Sequence, residues 1–159
     1  MTQAVPANMC GADVATIPAT RSHIRLNTAN GYGSTNTRIR RFTNTVVNQG
    51  TDITYADSAT LGASFTINTT GVYAIFYTDQ YSAASDLGLS KNTTTPTTSI
   101  QSIALSELLN AVTTAGANLG ACCPWTGPLT AGDVIRPHAA AGSTGTNVNE
   151  VLFTITRIL

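Results

Sequence analysis

The chain has 159 residues and a mass of 16.5 kDa, with eight Lys and Arg against eight Asp and Glu, so its formal charge is zero. Charged residues make up 10% of it, less than half of the roughly 25% usual in a soluble domain. This argues against an electrostatic nucleic-acid binder and a polybasic membrane-surface protein, both of which need a concentrated basic face. No run approaches the roughly 18 apolar residues of a membrane span. The first twenty residues lack the basic start and apolar run of a secretory signal.

The sequence holds 28 Thr, 13 Gly and 12 Asn. Thr is β-branched and suits pleated strands, while Asn and Gly suit the turns between them. The composition predicts an all-β protein with a nearly uncharged surface. Such a surface fits a protein covered by other subunits, because monomers usually carry more charge to stay soluble. A soluble monomer with a hydroxyl-rich coat is the alternative.

Residues 1–20 contain Pro6 and Pro18, a single charge at Asp13 and no period. They read as an extended N-terminal arm ahead of one domain at 21–159. The spaced apolar residues Val5, Val14 and Ile17 are candidate anchors in a groove of a partner, with an ordinary disordered terminus as the alternative. Ser22–Thr28 alternates Ile24 and Leu26 with His23 and Arg25, the period of a half-buried strand. Asn30-Gly31 and Gly33 predict a turn. Asn36–Val47 predicts a strand with Arg38 and Arg40 on one face and Ile39 on the other. A short strand carries Ile53 and Tyr55.

Gly62–Asn68 predicts a strand with Phe65 and Ile67 on one face. Val72–Tyr81 carries Val72, Ala74 and Phe76 on one side and Tyr73, Ile75 and Tyr77 on the other, as in a central strand covered on both faces. Leu87–Lys91 is short, and Asn92–Ser99 reads as an exposed loop. Leu105, Leu108, Leu109 and Val112 fall at helical spacing, but caps are few, and a strand with one helical turn is preferred. Asn118–Gly127 predicts a strand bearing Cys122, Cys123 and Trp125. Val134–Ala139 predicts another, with Pro137 marking an edge or irregular position. A Gly/Ser/Ala loop at 139–147 leads to a last strand at 149–158. Eight to ten short strands at this spacing predict a sandwich or barrel.

Chemistry-bearing groups are sparse. His23 and His138 lie far apart, with no metal-ligand spacing around them, and read as ordinary strand or loop residues. Asp133 in Ala131-Gly132-Asp133 predicts a turn carboxylate accepting backbone N–H groups. Cys122 and Cys123 point to opposite faces of a strand and are poorly placed to bond each other. Cys10 could pair with either, but the odd count favours free thiols. Arg38, Arg40 and Arg41 form the one basic cluster, either a contact for an acidic neighbour or a solvated face. No nucleophile, phosphate-loop or paired-carboxylate motif is present, so neither an enzyme nor a cofactor is expected.

Phe65-Thr66-Ile67 followed by Thr70-Gly71-Val72-Tyr73-Ala74-Ile75 resembles the F-x-V…x-G-x-Y-x-F core of the C1q/TNF-like jelly-roll superfamily. Leu89-Ser90-Lys91-Asn92 looks like the next strand and turn, where an Asn closes a hairpin. Leu129–Val134 is similar to its L-x-x-G-D-x-V motif, and Phe153-Thr154-Ile155 sits where its last core strand should. The order of the four covers about residues 21–159. Ile24–Phe42, Ile53–Asp79 and Val134–His138 resemble small virion proteins of tailed bacteriophages. The resemblance implies a two-sheet antiparallel jelly roll assembled as a homotrimer, packed through residues such as Tyr73, Phe76 and Tyr77. It further implies a capsid decoration (cement) protein that binds the major capsid protein on the virion surface after assembly in the bacterial cytoplasm. The alternative is a receptor-binding fibre head that recognises a bacterial surface receptor through 92–99 and 139–147. A secreted ligand of this superfamily is disfavoured, because the sequence has neither a signal nor a G-X-Y stalk.

Overall fold

The computed structural model describes residues 21–141 and 147–159. Its strands are β1 (His23–Tyr32), β2 (Arg40–Gln49), β3 (Ile53–Ser58), β4 (Gly62–Ile67), β5 (Gly71–Gln80), β6 (Asp86–Lys91), β7 (Leu108–Thr113), β8 (Gly120–Leu129), β9 (Val134–Ala139) and β10 (Leu152–Arg157). They form two five-stranded antiparallel sheets, ordered β2-β1-β10-β5-β8 and β3-β4-β9-β6-β7. From β2 onward the chain crosses between sheets at every connection except β3–β4 and β6–β7. The result is the expected jelly-roll sandwich, its core lying between the two inner faces.

The core follows the alternation of the strands. Ile24, Leu26, Tyr73, Ile75, Tyr77, Phe153 and Ile155 face in from the first sheet, and Phe65, Ile67, Leu87, Leu89 and Ile135 from the second; all are at most 3% exposed. Phe65 and Phe153 stack across the sheets, with centroids 4.1 Å apart and planes at 11°. Phe42 meets Phe153 edge-on at 6.0 Å.

Four local expectations meet mixed outcomes: the strand preferred at 105–112 is present, and the other three are adjusted. Asn30-Gly31 does not end β1. The register moves from Ala29–Phe42 to Tyr32–Arg40, so these two residues form a bulge, with Gly31 at φ 70°, a conformation glycine adopts without strain. Second, β2 begins only at Arg40, after a turn in which the Gly33 N–H donates to the Ile39 carbonyl. Third, Leu105 is 87% exposed, so the helical spacing at 105–112 has no buried stripe to serve, and β7 starts at Leu108. Fourth, β9 lies inside its sheet and not at an edge. Pro137 is tolerated there because pairing with β4 involves only Phe65–Ile135 and Thr66–Val134, leaving no ladder partner for its missing N–H.

Pro124 and Pro128 lie in β8, an edge strand. The Pro124 carbonyl, pointing off that edge, accepts from the Asn110 side-chain amide at 2.6 Å. Its missing donor therefore costs the sheet no bond.

The 92–103 segment is a strap across the outer face of the second sheet, anchored by buried Ile100 and Ile103. At its root, the Asn92 amide donates to Asp133 at 2.7 Å, and Asp133 accepts the Thr130 N–H at 2.9 Å, the turn role expected of it. Farther along, the Thr98 carbonyl accepts from Nε2 of His138 at 2.7 Å. A carbonyl only accepts, so Nε2 carries the proton and Nδ1 accepts from the Ser90 hydroxyl at 3.1 Å.

His138 is fully buried. Burial holds it below its usual imidazole range; the Thr98 carbonyl and Glu107 oppose the shift, while Arg38 and Arg136 reinforce it. The unfolded chain thus takes up the proton first as pH falls. The stability this residue contributes is complete above the ordinary value of 6.5 and is lost as pH drops toward the folded-state value, at up to about 1.4 kcal/mol per pH unit. Thermal melts from about pH 8 to about pH 5 should show a falling Tm, and His138→Gln should flatten that fall. A His138→Gln curve parallel to the parent curve would contradict this.

Candidate functional site

The outer face of the first sheet is the most distinctive surface of the molecule. Side chains on β5 alternate, so Val72, Ala74, Phe76 and Thr78 point out while their neighbours point in. Phe76 is 43% exposed. The register sets it between Pro124 on β8 and Thr154 on β10. In the adjacent rows, Thr78 sits between Cys122 and Leu152, and Ala74 between Thr126 and Thr156. Along β1, β10, β5 and β8, Arg25 is the one charged side chain at an outward position. A sheet face made of aromatic, aliphatic, proline and threonine side chains is suited to burial against another protein surface, because it carries almost no charge to desolvate.

Of the expected trimer contacts, only Phe76 lies on this face. Tyr73 and Tyr77 are fully buried inside the sandwich, so neither is available to a partner. The reason is the two-residue period: Phe76 and Tyr77 are adjacent and cannot share a face. Both tyrosines are held from within. The Tyr73 hydroxyl donates to the Thr69 carbonyl, and the Tyr77 hydroxyl to Asp79.

The basic cluster is not a surface patch either. Arg40 is fully buried and donates to Asp79 at 2.7 Å, with its guanidinium 4.9 Å from the Tyr32 ring centroid. Arg41 is engaged by both oxygens of Asp57, with Nη2 at 2.8 Å. Arg38 is half-buried. Two of the three guanidiniums therefore hold the fold together and do not offer charge to a neighbour. Burial pushes the Asp79 carboxyl up from its ordinary range, and Arg40, the Tyr77 hydroxyl and the Gln80 N–H oppose it.

Cys123 is buried and Cys122 half-buried on the outer face, and both are free. Burial pushes the Cys123 thiol up to about 12 and also raises Cys122, which makes neither a ready nucleophile. His23 is part of the sheet surface, with Nδ1 2.7 Å from the Thr156 hydroxyl. Val5, Val14, Ile17 and Cys10 lie outside the described residues. The described chain enters through Ser22, whose N–H donates to Asp52 at 3.1 Å, and Arg157 pairs with the same carboxylate at 3.1 Å. The Val72 N–H donates to the Leu159 carbonyl at 3.0 Å. Both ends of the described chain thus sit at one end of the sandwich.

No protein-family model and no curated protein matches the sequence. Solved structures do match the fold. Murine APRIL superposes with a TM-score of 0.57 at 13% identity, over 87% of this chain and all of that one. Rabbit GITRL gives 0.51 at 11% identity, over 87% and 94%, and bushbaby GITRL gives 0.51 at 14%, over 87% and 95%. At such identities the likeness concerns architecture alone, and it shows a jelly-roll fold like theirs.

Proposed function

We propose that this chain is a homotrimeric capsid decoration protein of a tailed bacteriophage, located on the virion surface and bound to the major capsid protein. The observation that carries the reading is the nearly chargeless outer face of the first sheet, centred on Phe76. A second copy is its natural cover: the face offers an aromatic anchor with prolines and threonines around it, and a trimer hides it in all three subunits at once. The role is mechanical and non-enzymatic. A trimer seated over a junction of capsid subunits binds each through a modest contact, and linkage of the three contacts raises the overall affinity through effective concentration.

The described chain begins at the end of the sandwich that also carries Leu159, and that end is assigned to the shell. The arm's Val5, Val14 and Ile17 supply apolar contacts without charge to desolvate. Deletion of residues 2–20 should leave the trimer intact and remove binding to empty capsids in a co-sedimentation assay. Unchanged binding would refute the role of the arm. The location is tested by imaging virions: density for this chain belongs on the icosahedral head, and density confined to the tail would favour the fibre-head alternative.

A further inference from the structure

On the opposite sheet, away from the Phe76 face, Asp86 opens into a pocket of about 310 Å³. It lies between the start of β6, the end of β7, the strap and the chain just after β9. Asp86 is 5% exposed and takes part in no ion pair among the described residues. Its main chain is engaged, since its carbonyl accepts the Ala140 N–H at 2.9 Å, but its carboxylate receives no side-chain or backbone donor there. Beside it, the Ser85 hydroxyl is enclosed and has no hydrogen-bond partner among the described residues. A carboxylate that faces an open pocket with no protein donor, next to an enclosed and unpartnered hydroxyl, leaves acceptor and donor capacity for a ligand to use.

The rest of the lining states what that is. Ser99, Gln101 and Thr113 carry groups that both donate and accept, while Ala84, Ala140 and Ala141 supply small apolar surfaces. A ligand with adjacent hydroxyls on a carbon ring matches this pattern. Two neighbouring hydroxyls donate to the two oxygens of Asp86, others exchange bonds with Ser99 and Gln101, and the C–H face lies on the alanines. The pocket size falls at the small end of the range for ligand sites, enough for a single pyranose. A divalent cation is poorly served, because Asp86 belongs to no group of three His, Cys, Asp or Glu among the described residues. From this we infer that the Asp86 pocket is a saccharide-binding site for one residue of a neutral glycan. It lies on the opposite sheet from Phe76, so the inference does not rest on the trimer.

The experiment is saturation-transfer NMR on the full chain with methyl glycosides of common hexoses and deoxyhexoses, followed by an array of bacterial surface oligosaccharides. At least one saccharide should bind, with affinity lowered tenfold or more in Asp86→Asn and severalfold in Gln101→Ala. Asn matches Asp in size, so the Asp86→Asn Tm should stay within about 2 °C of the parent's, which separates loss of the site from loss of the fold. Three results would overturn the inference: no saccharide in the set binds, binding is equal in Asp86→Asn, or methylamine or Ca2+ occupies the pocket and the sugars do not.

Discussion

Phe76→Glu should turn the proposed trimer into folded monomers. Phe76 is the exposed aromatic of the nearly uncharged face, between Pro124 and Thr154, and such aromatic anchors are where interface energy concentrates. Its loss removes the aromatic anchor, and the glutamate adds a charge that must be stripped of water against a neutral partner. At about 2 kcal/mol or more for a central aromatic, three equivalent interfaces lose about 6 kcal/mol, so the assembly constant falls by about four orders of magnitude. The side chain lies outside the core, so the monomer keeps its all-β circular dichroism. Sedimentation velocity at micromolar concentration separates the two states. Tyr77→Ala provides the contrast: Tyr77 is fully buried in the sandwich, and its truncation should cost about 3–5 kcal/mol of monomer stability. A Phe76→Glu protein that remains trimeric would remove this face from the assembly.

The second large effect lies inside the fold. Arg40 and Asp79 are both fully buried as a pair at 2.7 Å. Asp79 also accepts the Tyr77 hydroxyl and the Gln80 N–H. Replacement of one partner leaves the other charged in a low-dielectric interior, so Arg40→Met should destabilise the protein by about 3–5 kcal/mol. Arg40→Met with Asp79→Asn should recover much of that loss. The amide is neutral, and its oxygen still accepts from Tyr77. Chemical denaturation of the parent, the two single variants and the double variant closes the cycle. Additive losses would show that the pair is not coupled and that the cost of Arg40→Met comes from packing alone.

The architecture was legible because strand alternation and turn chemistry are local. Phe65 and Ile67, Val151 to Ile155, and the Asp133 turn all lie where their periods place them. What the sequence concealed was pairing between distant segments. Arg40 resembles any strand arginine until β5 brings Asp79 against it. Pro137 signals an edge until the missing β4 partner shows how an interior strand accepts it. The bulge at Asn30-Gly31 resembles a turn, because the same glycine conformation serves both.

The candidate face was half legible. Its polarity is in the composition and its anchor in the parity of β5, but the resemblance groups Tyr73 and Tyr77 with Phe76, against the two-residue period. Pro124, Leu152 and Thr154 join the face through sheet register, which sequence spacing does not encode. The Asp86 pocket gave no local signal at all. It arises from the strap and the end of β9 closing over an ordinary aspartate.

The most direct measurement is sedimentation equilibrium of the full-length parent chain across a range of concentrations. A single species of three times the 16.5 kDa chain mass is expected, persisting to low micromolar concentration and shifting little with added salt, since the face proposed to be buried holds almost no charge. A stable 16.5 kDa particle throughout that range would contradict it.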